Sequence, residues 1–411
     1  MDRKKTGADS DRNRMGRIKN KCARYKTYSP FFLLRIFVHN MQMLWNARKE
    51  NTQMYRPLRP LQVCFELTGG MGDYVIAANY LYYFAKYHGL KDECITLYFP
   101  HGYGLAKSIF DPSGGLRMRE GRQYRHPGTY DVYIRLSRFP AVVFFREHRI
   151  RLLCPKMLGY IGMCREFELR HPYFFRYMPF CDGQGAAYCE IMGQKRIQQP
   201  DIGRFFRMGE RHRWPVHLIE EEYAYLSSLH LSSGQFVTIH HGCDAAYADS
   251  TKLWPLQYWK QLVQLLRQKY PKLVIVQIGI SKQLFPKAGD VSLYLVGKTS
   301  MEQVKVLLKH SYAHIDNEGG LVHLRHALCA GRSFVLFGPT SRQFYGYCEN
   351  VNLRSKVCRR SCEWLCADWS GRCMKSGGKD AECMKALRPE LVMERVSQFL
   401  DADRKNGCHD S

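Results

Sequence analysis

Along this chain, short apolar runs alternate with longer stretches in which apolar residues return every three or four positions. Leu61–Leu67 reads as a short strand, followed by a glycine loop and an apolar helix from Tyr74 to His88. Ile95–Phe99, Asp131–Leu136 and Phe236–Ile239 read as further strands. Beyond them the pattern predicts a helix over about Leu256–Tyr270, a strand over Lys272–Gly279 and a helix over Met301–Lys309. A strand then ends in His314-Ile315-Asp316-Asn317, and a helix follows with Leu321, Leu324, Ala327 and Leu328 on one face. The strand Ser333–Phe337 and the turn Gly338-Pro339-Thr340 come next, and an amphipathic helix over Pro389–Leu400 closes the chain. Strands alternating with helices predict parallel, doubly wound sheets with ligands at the carboxyl ends of the strands. A boundary is expected near Arg213–Ser233, where Glu220-Glu221-Glu222 begins a helix and Ser232-Ser233-Gly234 closes it. The expected units are therefore 61–225 and 226–400, preceded by a basic extension over 1–60.

Residues 1–30 are rich in Lys, Arg, Ser and Asn and are expected to be disordered. Phe31–Trp45 is apolar but interrupted by Arg35, His39 and Asn40, and is too short to span a bilayer. An interfacial helix on an anionic inner-membrane surface is one reading, and a helix packed on the protein itself is the other. The stretch begins late and lacks a clear small-residue cleavage site, which predicts a cytoplasmic protein, peripheral on the inner membrane. The 411 residues suit two domains that each bury a core, and the formal net charge of +25 calls for an anionic partner. No zinc-finger spacing or aromatic RNA-binding signature is present, so no nucleic acid is expected as that partner.

Three stretches carry candidate chemistry. In Glu318-Gly319-Gly320-Leu321, a glycine turn opens a helix whose first N–H groups suit a phosphate. The carboxylate of Glu318 would repel phosphate but could accept bonds from sugar or ribose hydroxyls. In Thr68-Gly69-Gly70-Met71-Gly72-Asp73, Asp73 stands at a helix mouth, as a helix cap or as a base that takes a proton from an acceptor hydroxyl. This is neither a dinucleotide fingerprint nor a P-loop, since no Lys-Ser/Thr follows. In Ser250-Thr251-Lys252, the ammonium could stabilise a departing diphosphate, with Ser250 and Thr251 adding hydroxyl donors. No Asp-x-Asp motif stands in these stretches to serve the diphosphate, so no divalent metal is expected for catalysis. Arg135, Arg138, Arg146, Arg149, Arg151, Arg165 and Arg170, interleaved with aromatics, fit an acidic sugar acceptor or a solvated basic surface.

Lys252-Leu253-Trp254-Pro255, Asp316-Asn317-Glu318-Gly319-Gly320-Leu321-Val322-His323 and Phe337-Gly338-Pro339-Thr340 resemble the donor-domain motifs of the ADP-heptose:lipopolysaccharide heptosyltransferases, glycosyltransferase family 9. The resemblance runs from about residue 61 to 400. It implies an α/β fold with a GT-B arrangement, two Rossmann-like domains facing across a cleft, and an inverting sugar transfer. It makes Asp73 the matching base, with Gly72, Thr251, Lys252, Glu318, Gly319, Gly320 and His323 on the donor side. Glu318 takes the place of the family's usual aspartate. Leu253 and the insert Cys243–Asp249 depart from the pattern. ADP-heptose as donor, and a surface glycan such as lipopolysaccharide core as acceptor, follow from the resemblance alone. A protein hydroxyl on an autotransporter is the alternative acceptor. A non-catalytic, membrane-associated metal-binding protein is the rival of another class. The last helix is expected to cross back onto the first domain.

Of the sixteen cysteines, Cys358, Cys362, Cys366, Cys373 and Cys383 lie close together. Thiolates this dense suit a tetrahedral metal, with disulfides as the alternative. The heptosyltransferases that modify autotransporters carry a four-cysteine iron finger at this place. Cys358, Cys362, Cys373 and Cys383 match it best, leaving Cys366 surplus and other sets of four open, and imply iron or zinc within 356–385. The distance along the chain from Asp73 and Lys252 predicts that loss of the metal lowers activity only partly.

Overall fold

The computed structural model describes residues 30–54, 59–110, 115–121, 127–176, 181–242, 250–279, 286–358 and 361–406. The expectations for residues 1–29 and for the insert 243–249 lie outside them. Two sheets organise the chain. The first has the order β3-β2-β1-β4-β5, built from β1 (Val63–Leu67), β2 (Ile95–Phe99), β3 (Arg117–Glu120), β4 (Val132–Leu136) and β5 (Pro140–Phe145). Its first four strands are parallel, and β5 returns antiparallel beside β4. The second has the order β11-β10-β9-β6-β7-β8, from β6 (Phe236–His240), β7 (Val274–Gln277), β8 (Leu293–Tyr294), β9 (Ala313–Asn317), β10 (Ser333–Phe337) and β11 (Val351–Arg354), all parallel.

Both orders step outward from a first strand in one direction and then in the other. Each sheet therefore has a switch point where the loops after two adjacent strands diverge, and ligands bind there. In the first sheet the point lies between β1 and β4, and in the second between β6 and β9. The strands at these points are buried along their whole length or nearly so, as parallel strands covered on both faces must be.

The helices follow from their apolar spacing. The first sheet carries α2 (Met71–His88), α3 (Lys156–Arg170) and α4 (Asp182–Ile191); the second carries α5 (Leu256–Lys269), α6 (Met301–His310), α7 (Gly320–Ala327) and α8 (Pro389–Asn406). On α5, Trp259, Leu262, Val263 and Leu266 share one buried stripe. Burying each such side chain stabilises the fold by about 1.5–3 kcal/mol. α2 starts three residues earlier than the apolar pattern predicts, because Asp73 accepts the Gly70 N–H at 2.9 Å and fixes the first turn. The last helix does not cross back to the first sheet. Val392, Val396 and Leu400 pack in the core of the second, and Asp401 accepts from Lys269 and from the Tyr270 hydroxyl.

One apolar cluster nevertheless joins the two halves, running from β1 and α2 through α6 to Leu324 of α7. A buried ammonium reinforces it: Lys305 donates to the Ser108 carbonyl at 3.0 Å and to the His217 carbonyl at 2.6 Å. Ahead of β1, α1 (Pro30–Met54) is a helix, longer than the apolar stretch that predicted it. Phe31, Leu34, Phe37, Val38, Met41 and Trp45 on it face solvent. Among the described residues, no helix is long and apolar enough to cross a membrane.

Candidate functional site

The two switch points face each other. Asp73 follows β1 and Arg138 follows β4; Lys252 lies beyond β6 and Glu318 follows β9. Between them the amino-terminal ends of α2 and α7 touch. A Cβ on Gly320 would sit 2.9 Å from the Met71 Cβ and 3.2 Å from the Gly72 nitrogen. A Cβ on Gly72 would meet the His323 ring at 2.7 Å. Both glycines are therefore required by close approach. Gly319 is extended (φ −176°), a conformation open to any residue.

The loops that follow β6 and β9 are paired through Asn317. Asn317 accepts the Trp254 N–H at 3.1 Å and donates to the Gly242 carbonyl at 3.3 Å. Trp254 is an anchor rather than a ligand: its ring is buried, and its indole N–H donates to the Leu387 carbonyl at 2.7 Å. With Asn317 pinned to Trp254, the neighbouring Glu318 meets Lys252, Oε2 to Nζ at 2.6 Å. Burial works to raise the Glu318 pKa, but the Lys252 ammonium outweighs it and holds the carboxyl below its usual range. Beneath them Asp316 joins His240 at 2.9 Å and His314 at 3.2 Å, locking β9 to β6.

Asp73 is more tightly held than a simple cap. Besides the Gly70 N–H, it accepts from Arg196 at 2.7 Å and from Arg138. Arg138 is itself clamped by Asp182, at 2.7 and 3.0 Å from Nε and 2.7 Å from Nη2. Burial would raise the Asp73 pKa, yet the two guanidiniums and the Gly70 N–H hold it at about 2. The stability this cluster contributes is thus present above the ordinary aspartate pKa and is lost as pH falls toward 2. Burial pushes the His323 pKa down to about 4, so the ring is neutral. Its Nδ1 shares a hydrogen bond with the Tyr347 hydroxyl at 2.6 Å, which makes it a satisfied helix histidine wedged on Gly72.

Three expectations from the sequence change. The Thr251 hydroxyl donates to the Trp369 carbonyl at 2.6 Å, and is already engaged within the protein. Most of the arginines expected to face an acidic acceptor are paired within the first half. Arg135 meets Glu66, Arg149 meets Asp131, and Arg151 and Arg170 pair one turn along their own helices. Such exposed helix pairs are worth little. Of the seven, Arg138 is the one that bonds Asp73. Finally, the cysteine segment is not remote: Trp369 and Ser370 bond Thr251, beside Lys252.

Among the described residues, no group of three or more His, Cys, Asp or Glu side chains is arranged to hold a metal ion. The chemistry of the donor set does fit one. Burial pushes the Cys383 thiol up to about 12, and Cys358, Cys362 and Cys373 add to the rise as neighbours. Burial works the same way at Cys373, but backbone N–H groups around it outweigh this and lower its pKa, favouring thiolate there.

Arg196, Asp182, Tyr345 and Glu363 also border the site and were not singled out in the sequence. Arg196 lies in Gln194–Ile202, a loop with no periodicity to flag it. Arg138 stood in the sequence as one of seven arginines, and its place just past the strand Asp131–Leu136 is what sets it at the switch point. Burial pushes the Glu363 carboxyl up to about 8, with the Ser341 N–H, Lys252 and Tyr345 opposing and Glu318 adding.

Two Rossmann-type sheets with facing switch points define the GT-B fold of nucleotide-sugar glycosyltransferases. Residues 218–363 match the model for glycosyltransferase family 9 (heptosyltransferase). The fold is similar to that of E. coli ADP-heptose LPS heptosyltransferase II, at 14% identity and a TM-score of 0.50, covering 84% of this chain and 100% of that one. It is also similar to the bacterial iron-containing dodecameric glycosyltransferase TibC from enterotoxigenic E. coli, at 11% identity and a TM-score of 0.52, covering 84% and 77%. A structure of TibC with ADP-D-β-D-heptose aligns at a TM-score of 0.53 with 11% identity, covering 84% and 78%. No curated protein sequence matches the chain.

Proposed function

We propose that this protein transfers a sugar, with inversion, from a nucleotide diphosphate sugar to an acceptor hydroxyl. The observation that carries this reading is the meeting of Asp73 and Arg138 with Lys252 and Glu318 where two helix amino termini converge. In the reaction the acceptor oxygen bonds to the anomeric carbon as its proton passes to Asp73. The bond from that carbon to the phosphate oxygen breaks, and the diphosphate leaves with the electron pair. Lys252 and the N–H groups at the start of α7 stabilise the charge it gains. Glu318 binds donor hydroxyls.

Asp73 is ionised at any physiological pH, but both guanidiniums bond its Oδ1 and the Gly70 N–H its Oδ2. At least one must shift before the carboxylate can take a proton, and an incoming diphosphate carries the charge to draw it. TibC, seen with ADP-D-β-D-heptose, supports a heptose donor. The acceptor is then a surface glycan such as lipopolysaccharide core. The cysteine segment supports the alternative of a protein hydroxyl, as on an autotransporter.

If Asp73 is the base, Asp73→Asn lowers kcat by about 10²-fold or more with donor binding retained. Steady-state kinetics check this, and transfer at the wild-type rate would remove Asp73 from the mechanism. The rival, a non-catalytic metal-binding protein, predicts no transfer or donor hydrolysis from either form.

Cys358, Cys362, Cys373 and Cys383 would hold iron or zinc, which would tie the segment together as a local core. Elemental analysis of protein purified without chelator should give about one equivalent, and Cys362→Ser should abolish it. Five free thiols in a metal-free, protease-resistant segment would contradict the assignment.

The exposed face of α1 would lie on the anionic cytoplasmic surface of the inner membrane. The occupant is argued from charge: residues 1–29 carry ten Lys and Arg against three Asp. Deleting residues 1–50 should reduce sedimentation with phosphatidylglycerol vesicles about tenfold or more and spare transfer to a soluble acceptor. Equal vesicle binding by the truncated protein would refute this.

A further inference from the structure

The cysteine-rich segment 356–385 meets the donor loops at several points. The Thr251 N–H donates to the Ser370 carbonyl at 2.9 Å, and the Thr251 hydroxyl to the Trp369 carbonyl at 2.6 Å. The Lys252 ammonium stands 5.5 Å from the Trp369 ring centroid and 5.9 Å from that of Tyr345. The turn at Cys362–Trp364 projects Glu363, 2% exposed, under the loop that follows β10. Glu363 accepts the Ser341 N–H at 2.8 Å and the Tyr345 hydroxyl at 3.1 Å, while its own N–H donates to the Pro339 carbonyl at 3.4 Å.

The same turn reaches the first half of the molecule. A Cβ on Gly183 of α4 would lie 1.6 Å from the Glu363 carbonyl oxygen, so only glycine permits this crossing. The residue before it, Asp182, clamps the Arg138 that bonds Asp73. From the other end of α4, Glu190 accepts from the Ser341 hydroxyl. Ser341 is therefore held from two sides, by Glu363 through its N–H and by Glu190 through its hydroxyl.

We propose that segment 356–385 is a wall of the donor site and that Glu363 is its positioning residue, holding the Pro339–Tyr345 loop and Lys252 in place for the diphosphate. Glu363 need not touch the donor. It supplies the acceptor that the buried Ser341 N–H requires, and without it the loop must reorganise to find water. Because Glu363 follows Cys362 directly, whatever organises the thiols also sets the donor loop. Loss of this segment then weakens donor binding, whereas loss of Asp73 slows chemistry. The inference rests on the reading of the site as one for a nucleotide diphosphate.

The test is calorimetric titration of the full-length protein with ADP, comparing wild type, Glu363→Ala, Glu363→Gln and Tyr345→Phe, with melting temperatures for each. Glu363→Ala should weaken ADP binding about tenfold. Glu363→Gln, which keeps an acceptor for the Ser341 N–H, should stay within about threefold of wild type, and Tyr345→Phe should lose about two- to fivefold. In transfer assays Glu363→Ala should raise the donor KM by a similar factor and leave kcat within about threefold. Should Glu363→Ala fail to fold, the Gln and Phe variants carry the test. ADP binding unchanged in Glu363→Ala or Tyr345→Phe, or a Gln variant as weak as Ala is expected to be, would overturn the positioning role alone. A wild-type protein without saturable ADP binding would overturn the donor reading, and this inference with it.

Discussion

The architecture depends on two helix amino termini being brought into contact. Gly320 approaches Met71 and Gly72 so closely that any side chain there would drive the halves apart. Like ends of helix dipoles repel, so this contact needs negative charge nearby. Asp73 and Glu318 supply it, each at the mouth of its own helix. Their charge is in turn balanced by Arg138 and Arg196 on one side and by Lys252 on the other. With Asp182 on Arg138, three cations face three carboxylates, and the positive helix ends remain over. A site so composed favours an anion between the helices, and an anion would also loosen the guanidiniums from Asp73.

The switch points explain why chemistry gathers here. A parallel sheet whose strand order reverses opens a crevice at the carboxyl ends of its two central strands. The chain contains two such sheets, and the apolar cluster through α6 and α7 fixes them face to face. Lys305, bonded to carbonyls of Ser108 and His217, holds the same geometry from the side.

The sequence made the parallel strands, the glycine turns and the residues beside them legible, because each rests on local rules. Apolar runs mark β1, β6 and β10, and Glu318-Gly319-Gly320 marks the start of α7. What it did not disclose depends on distant pairing. Thr251 looks like a hydroxyl free to meet phosphate until Trp369 is folded against it. Arg135, Arg149 and Arg170 resemble an acceptor surface until Glu66, Asp131 and Glu166 are set beside them. Arg196 and Glu363 lie in loops without periodicity, and their importance comes only from a buried carboxylate and a buried N–H elsewhere. The cysteine segment seemed an appendage because sequence distance says nothing of a β10 loop that folds back over it.

The central claim is that Lys252 and the start of α7 bind a nucleotide diphosphate. Phosphorus NMR of ADP titrated with the protein tests it most directly. Both phosphorus resonances should shift with saturable binding to the wild type, and Lys252→Ala should weaken that binding about tenfold or more. Absence of saturable binding, or equal affinity in the Lys252→Ala variant, would contradict the account.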